Sequence, residues 1–308
     1  MLIEDLQVVI KVAEFHSITA AATQLDMRVA TASAAVKRVE KALGVELFIR
    51  TTRRLRLTSA GERYIPQCEQ ALIMLDQARQ QIRDDLDIVD GELRIALSSD
   101  LGRNLVTPWL DEFLDTYPDI RLRSNISDST IDFYRDSVDI ALRYGAPDDA
   151  DLYGFKICNV PRVLCAAPNY VEKFGNPGHP NELPSHNGLF YQLFDITHDV
   201  WEFSHKGIEF KIKMNGNRAS NDGDVVRRWC VAGKGLAVKS CLDMSPDLLT
   251  GNVVSLMPDF LPTPTELWLI CPSRQLITPA VRLLRDTLKE KCSAILTQLI
   301  EHSVIDHN

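Results

Sequence analysis

Between residues 28 and 63 this chain carries nine lysines and arginines against three acidic side chains. Arg28, Lys37 and Arg38 fall on one short helical stretch, and Arg50, Arg53, Arg54 and Arg56 follow in a short run of alternating apolar and polar residues. Cations at this density, held on a helix and a hairpin, can neutralise the phosphates of a nucleic acid backbone. A merely solvated charged face is the competing reading; the pairing of a cationic helix with a cationic hairpin favours phosphate contact. For Arg50 an internal pair with Glu46 or Glu62 is a further alternative. Val29, Thr31 and Ser33 open the same helix, where hydroxyls can bond base edges and a valine can touch a thymine methyl. The charge is unevenly spread: residues 1–64 carry a balance of +3 and the remainder −11, within a total of −8. A basic module is joined to an acidic body, and phosphate affinity follows the local balance.

A second set of polar residues lies far downstream. Ser98, Ser99, Ser129, Thr130 and Asn221 stand at the ends of apolar runs or just after them. Hydroxyls and helix amides at the carboxyl ends of strands can bind a small carboxylate. Helix capping is the alternative for each of them. The set has no G-x-S-x-G, P-loop or G-x-G-x-x-G beside it, so the reading is binding and not catalysis. The seven cysteines are scattered, with no pair at zinc-ligand spacing, and read as small core hydrophobes; no metal or other cofactor is expected.

These residues need elements to position them. Apolar spacing predicts a helix over 2–15, a short one from Ile18 to Leu25 capped by Ser17, a turn at 26–28, and a third helix from Val29 to Leu43 stopped by Gly44. Two short helices and a tight turn make a helix-turn-helix. Residues 45–58 read as a hairpin wing with arginines at its tip. Ser59-Ala60-Gly61-Glu62 reads as a capping box that opens a long helix reaching Leu86. Its seam, Ile65, Cys68, Leu72, Leu75, Arg79, Ile82 and Leu86, steps by three and four in turn. Packing on its own domain is one reading. Because the seam lies between two domains, Ile65, Leu72, Leu75 and Ile82 are expected to dimerise two chains.

Past Gly91, strands alternate with helices, which predicts doubly wound, mostly parallel sheets. The expected organisation is a DNA-binding domain at 1–59, a linker helix and hinge at 60–90, and an α/β body at 91–308. The body would hold lobe I at about 91–162 and 267–300 and lobe II at about 163–266, with a ligand cleft between them. At 45% hydrophobic and 25% charged residues the composition is that of an ordinary globular protein. No run approaches the roughly 18–20 apolar residues of a membrane span. The N-terminal stretch is interrupted by Glu4, Asp5, Lys11 and Glu14; it does not read as a signal peptide, and the expected location is the cytoplasm.

The stretch from Phe15 to Gly61 resembles the DNA-binding domain of LysR-type transcriptional regulators. The resemblance rests on Phe15, Ser17, Thr19-Ala20-Ala21-Ala22, Leu25, Ser33, Val36, Lys37-Arg38, Glu40, Leu43-Gly44-Val45, Leu47-Phe48, Arg50-Thr51-Thr52-Arg53-Arg54, Leu57-Thr58 and Ala60-Gly61. It continues through Pro108, Tyr117-Pro118, Asp139-Ile140-Ala141-Leu142-Arg143, Arg162-Val163-Leu164-Cys165-Ala166-Ala167-Pro168 and Asn221-Asp222. It implies a cofactor-free regulator with a body like the periplasmic binding proteins. It also implies a homodimer or homotetramer on an interrupted palindrome of double-stranded DNA, a metabolite effector and contact with RNA polymerase. The chain departs from the family at 29–34, which read Val-Ala-Thr-Ala-Ser-Ala where Gln-Pro-Ala-Val-Ser-Arg is usual. The arginine that would grip guanine is absent, and Arg28, Thr31 and Ser33 are the polar candidates left. The alternatives are a repressor that needs no effector and an α/β enzyme with an appended DNA-binding domain.

Overall fold

A computed structural model describes residues 2–50, 55–84, 89–129, 133, 136, 138–147, 152–193 and 196–305. Arg53, Arg54 and Thr130 lie outside the described residues, as do the side chains of Arg50, Arg79 and Ile82. The chain divides into two compact units, Met1–Leu86 and Asp87–Asn308.

In the first unit, α1 (Ile3–Phe15), α2 (Ile18–Gln24) and α3 (Val29–Leu43) surround one core. Val9, Val12, Ala21, Ala22, Ala32 and Val39 are fully buried in it. The alanines let α2 and α3 approach closely. The Ser17 hydroxyl caps α2 by accepting from the Ala20 amide at 3.2 Å. Gly44 closes α3 at φ +70°, a left-handed turn in which a glycine carries no Cβ penalty. The hairpin follows as β1 (Phe48–Arg50) and β2 (Leu55–Leu57), antiparallel with Phe48 opposite Leu57. The Glu40 carboxylate accepts from the Leu47 and Phe48 amides at 2.9 and 3.3 Å, which fixes the hairpin to the end of α3.

The long helix α4 (Ser59–Asp84) is capped one residue earlier than its sequence suggests. The Thr58 hydroxyl, and not that of Ser59, accepts from the Gly61 amide at 3.0 Å. The predicted seam also divides. Ile65 and Cys68 are buried in the core of their own unit, with Leu72 packed against it, whereas Met74 and Leu75 are 68% and 52% exposed. Ile65 is therefore a core residue of one chain, not a seam residue between two. The first turns of α4 pack against α1, so the heptad spacing there reports the unit's own core.

The second unit begins with β3 (Gly91–Leu97), α5 (Ser99–Leu101), a π-helical turn at Gly102–Val106, and α6 (Thr107–Thr116). Then come β4 (Ile120–Ile126), β5 (Ile140–Tyr144) and β6 (Tyr153–Val160). After Pro161 the chain crosses into lobe II. There it forms β7 (Arg162–Ala166), α7 (Pro168–Phe174), β8 (Leu189–Leu193), β9 (Ile196–Thr197), β10 (Val200–His205), β11 (Ile208–Lys213) and β12 (Arg218–Ser220). Lobe II ends with α8 (Gly223–Val231), β13 (Ala237–Ser240), α9 (Ser245–Thr250), β14 (Val254–Leu256) and β15 (Leu261–Pro262). The chain returns in β16 (Thr265–Cys271) and ends in α10 (Pro279–Glu301).

Lobe I is a five-stranded sheet in the order β4-β3-β5-β16-β6. The pairs β3–β4 and β3–β5 are parallel, while β16 runs antiparallel to both its neighbours. Lobe II is less parallel than its alternating pattern suggests. Only β12–β8 is parallel among its named strand pairs; β7 pairs antiparallel with β13 and β14, and β10 with β11 and β15. Between β10 and β11 the cause is a tight hairpin at Lys206-Gly207, both at positive φ (49° and 80°), the geometry of a two-residue turn between twisted antiparallel strands.

Candidate functional site

In the first unit, α3 presents Arg28, Val29, Ala30, Thr31 and Lys37 to solvent, with Ser33 half-buried. Arg28 and Lys37 make no hydrogen bond or ion pair among the described residues, so neither charge is engaged within the unit. Arg38 is different. Its guanidinium grips the Asp5 carboxylate with two bonds, Nε at 3.1 Å and Nη2 at 2.5 Å, and Asp5 is buried at the start of α1. The hydrogen bond from Arg38 holds the Asp5 carboxyl below its ordinary range, against the effect of burial. The charge counted as a DNA contact in the sequence is thus largely used inside the unit, tying α3 to α1. Arg56 faces Ile49 across the hairpin.

The second candidate site lies between the lobes. The end of β3 turns at Ser98 into α5, and Ser99 is 1% exposed. Its amide and hydroxyl, with the Gly223 amide at the start of α8, form an anion niche. The niche is occupied from within. Asp128 accepts from the Ser99 amide at 2.7 Å, from the Ser99 hydroxyl at 2.5 Å and from the Gly223 amide at 2.8 Å. Ser99 is thereby corrected from a ligand contact to an internal one: a side-chain carboxylate tethered to lobe I already satisfies donors from both lobes. The Ser129 hydroxyl is likewise used internally, 2.8 Å from that of Ser127. Asn221 is exposed, and its neighbour Asp222 does the local work. Asp222 caps α8 through the amides of Asp224 and Val225 and pairs with Arg103 at 2.7 Å.

Charges that sequence spacing did not reveal surround the niche. The π-helical turn carries Arg103 and Asn104 toward lobe II, where Asn104 donates to Asp224 at 2.8 Å. The Lys239 ammonium, on buried β13, donates to Asp100 of lobe I and to the Gly223 carbonyl at 3.0 Å, with Asp243 at 3.7 Å. Tyr144 of lobe I donates to Asp243 at 2.6 Å. Burial pushes Asp100 up to about 7 despite Lys239. Burial alone would lower the Lys239 ammonium, but Asp100 and Asp243 outweigh it and hold the group above its ordinary value. Burial also opposes ionisation of Asp222 and Asp224. Hydrogen bonds, chiefly from Arg103 to the first and from Asn104 and Arg228 to the second, nonetheless hold both below the usual carboxylate range.

Two polar atoms beside this network stay unanswered. The Ser98 Oγ and the Arg143 Nε are buried without a hydrogen-bond partner among the described residues. They are neighbours across the β3–β5 ladder, one residue past the pair Leu97 and Leu142. Arg143 spends its Nη2 on the Ser129 carbonyl at 2.6 Å, and burial pulls its guanidinium below the ordinary value. Tyr191 stands near enough to feel it, pushed up to about 12 by burial and by Asp128, with Arg143 pulling the other way. Two free donors at the carboxyl ends of adjacent parallel strands can hold an oxygen-rich ligand. The Arg143 side chain thus braces the loop after β4 through Nη2 while its Nε is left without a partner among the described residues.

Residues 3–62 match the family described as bacterial regulatory helix-turn-helix protein, lysR family, and residues 87–293 match the LysR substrate binding domain. The HTH-type transcriptional regulator DmlR of Escherichia coli K12 is 30% identical over 289 residues, 94% of either chain. The HTH-type transcriptional activator TtdR of the same strain is 30% identical over 262 residues, 84% of either chain. Among solved structures, the full-length virulence activator AphB of Vibrio cholerae superposes with a TM-score of 0.60 at 26% identity, covering 94% of this chain and 98% of that one.

Proposed function

This chain belongs to the LysR family of DNA-binding transcriptional regulators, and from that premise we propose that it binds an interrupted palindrome as a dimer or dimer of dimers and answers to a small carboxylate held between its lobes. Its relatives are regulators and not enzymes, and regulation is its function. The proposed division of labour gives DNA binding to residues 1–59, dimerisation to 60–90 and effector binding to 91–308. Arg28, Val29, Thr31, Ser33 and Lys37 would meet the major groove, with Arg50, Arg53 and Arg54 on the wing. Leu72, Leu75 and Ile82 would form the dimer seam. RNA polymerase is the proposed partner at the promoter. Among the described residues no helix is long and apolar enough to cross a membrane, and the cytoplasm is the proposed place of action.

The observation that carries the effector reading is the pair of unpartnered buried donors, Ser98 Oγ and Arg143 Nε. Leaving them so in the absence of ligand costs free energy that a bound carboxylate would recover. Because Asp128 fills the Ser99 niche, the effector's carboxylate belongs on Ser98 and Arg143, with Ser129, Thr130 and Asn221 as flanking contacts.

The test is a carboxylate library screened by thermal shift, with hits carried into gel shifts on promoter DNA. Hits should raise the melting temperature of the wild type and alter its DNA shift, and Ser98→Ala with Arg143→Lys should abolish both responses. Hits that act equally on the double variant would refute this placement.

A further inference from the structure

Away from the interlobe network the second unit holds a cavity of about 260 Å³ at the hinge itself. Its walls come from both places where the chain crosses between lobes, Pro161 on the way out and Pro262 and Pro264 on the way back. Proline cannot donate to a sheet ladder, so strands part at such points and leave room. The floor is Leu164, Leu256 and Met257 of a hydrophobic core drawn from lobe II, and the far side is Val304 and Ile305, which pack on a second, larger core whose residues come from both lobes. Val163 and Leu164, adjacent in sequence, belong to the two different cores. The cavity therefore lies where two hydrophobic cores meet, beside both crossings between the lobes.

Two further observations say what would fill it. Met257 is buried yet sits at φ +50°, a left-handed backbone that a non-glycine residue adopts only under constraint. Its unbranched side chain adapts to variable occupants. Arg162 lines the cavity, is exposed, and makes no hydrogen bond or ion pair among the described residues, although Asp243 feels its charge. The only other polar lining residues are Ser204, Ser255 and Ser303. An apolar hole with one free cation suits an amphipathic anion.

We propose that this hinge cavity is a second small-molecule site, taking a medium-chain or aromatic monocarboxylate whose hydrocarbon lies between the two cores and whose charge meets Arg162. A ligand there touches both crossings and both cores, so it favours one arrangement of the lobes. It reaches the regulator's response without entering the interlobe cleft.

Octanoate, with octanol as its uncharged counterpart, tests this on the full chain by thermal shift and isothermal titration. Octanoate should raise the wild-type melting temperature with a saturable dependence. Ser255→Trp, which fills the cavity from half-exposed β14, should remove that response, and Val304→Trp is the second filling variant should the first fold poorly. Arg162→Ala should weaken octanoate about tenfold, the scale of one charge-assisted contact, and leave octanol unchanged. Ser98→Ala with Arg143→Lys should leave octanoate binding intact. Persistence of binding in both filled variants, no response in the wild type, or equal affinity for octanol would overturn the proposal. Loss of octanoate binding in the Ser98 and Arg143 variant would overturn it too, by moving the ligand to the cleft, while leaving the cleft reading standing.

Discussion

The two units use charge in opposite ways. At the start of α3 and along it, Arg28 and Lys37 stand in solvent with no partner among the described residues. Between the lobes, Asp100 and Asp243 are buried and both face the buried Lys239 ammonium. A solvated cation costs little to keep and is screened within about 10 Å at 0.1 M salt. A buried network is barely screened, and its loss is felt as folding free energy. On the proposed reading the same residue types would set affinity in one unit and architecture in the other.

The strongest test of that contrast is Lys239→Met. It strands two buried carboxylates and should destabilise the second unit by about 3–5 kcal/mol in urea unfolding, whatever the salt. A loss that vanished at high salt would show the network to be solvated after all. The same network sets a pH dependence. Asp100 binds its proton more tightly folded, at about 7, than its ordinary value of 3.8, so its contribution to stability is complete below about 4 and is lost as pH rises toward 7. Asp100→Asn should flatten the stability profile across that window.

Next in size is the divided helix α4. Ile65→Ala should cost about 2–4 kcal/mol by opening a cavity in the first unit's core. Leu75→Ala should cost under about 0.5 kcal/mol of monomer stability and act instead on dimer dissociation, read by sedimentation. Equal effects on both readouts would erase the distinction between the two halves of the helix.

Asp128→Ala should be milder, about 1–3 kcal/mol, because it leaves the Ser99 and Gly223 donors open to water. Added acetate should restore part of the lost stability in this variant and none in the wild type, a comparison made by thermal shift. The smallest expected change in fold is in Arg28→Ala with Lys37→Ala, which should unfold like the wild type. Its salt dependence of DNA binding should flatten by up to about 0.9 in log–log slope per lost phosphate contact. An unchanged slope in gel shifts would remove α3's cations from the interface.

What could be read in the residues alone follows distance along the chain. The apolar spacing of Val29–Leu43 and the stop at Gly44 are local, and α3 ends where they say. The niche is not local. Asp128 meets a serine 29 residues away and a glycine 95 away, and Lys239 meets an aspartate 139 residues away. No period or motif joins such partners, so Ser99 looked free when its hydroxyl was already engaged. Arg38 misled for the same reason, since Asp5 lies 33 residues upstream in another helix. The heptad on α4 is ambiguous for a different reason. Spacing reports that a face is apolar and is silent about which neighbour covers it.

The return of the chain in β16 has a consequence for how the protein is made. This strand sits between β5 and β6, yet it is synthesised only after all of lobe II. As the chain leaves the ribosome, the first unit can close at once because its contacts are local, and lobe II can gather around its own core. Lobe I must wait, with β5 and β6 lacking the strand that joins them, until residues 265–271 emerge. Sheets closed over so long a loop form slowly and leave pairing edges open meanwhile. A nascent chain stalled before Thr265 would therefore carry a finished DNA-binding unit beside a half-built, aggregation-prone sheet, and chaperone demand should fall mainly on that interval.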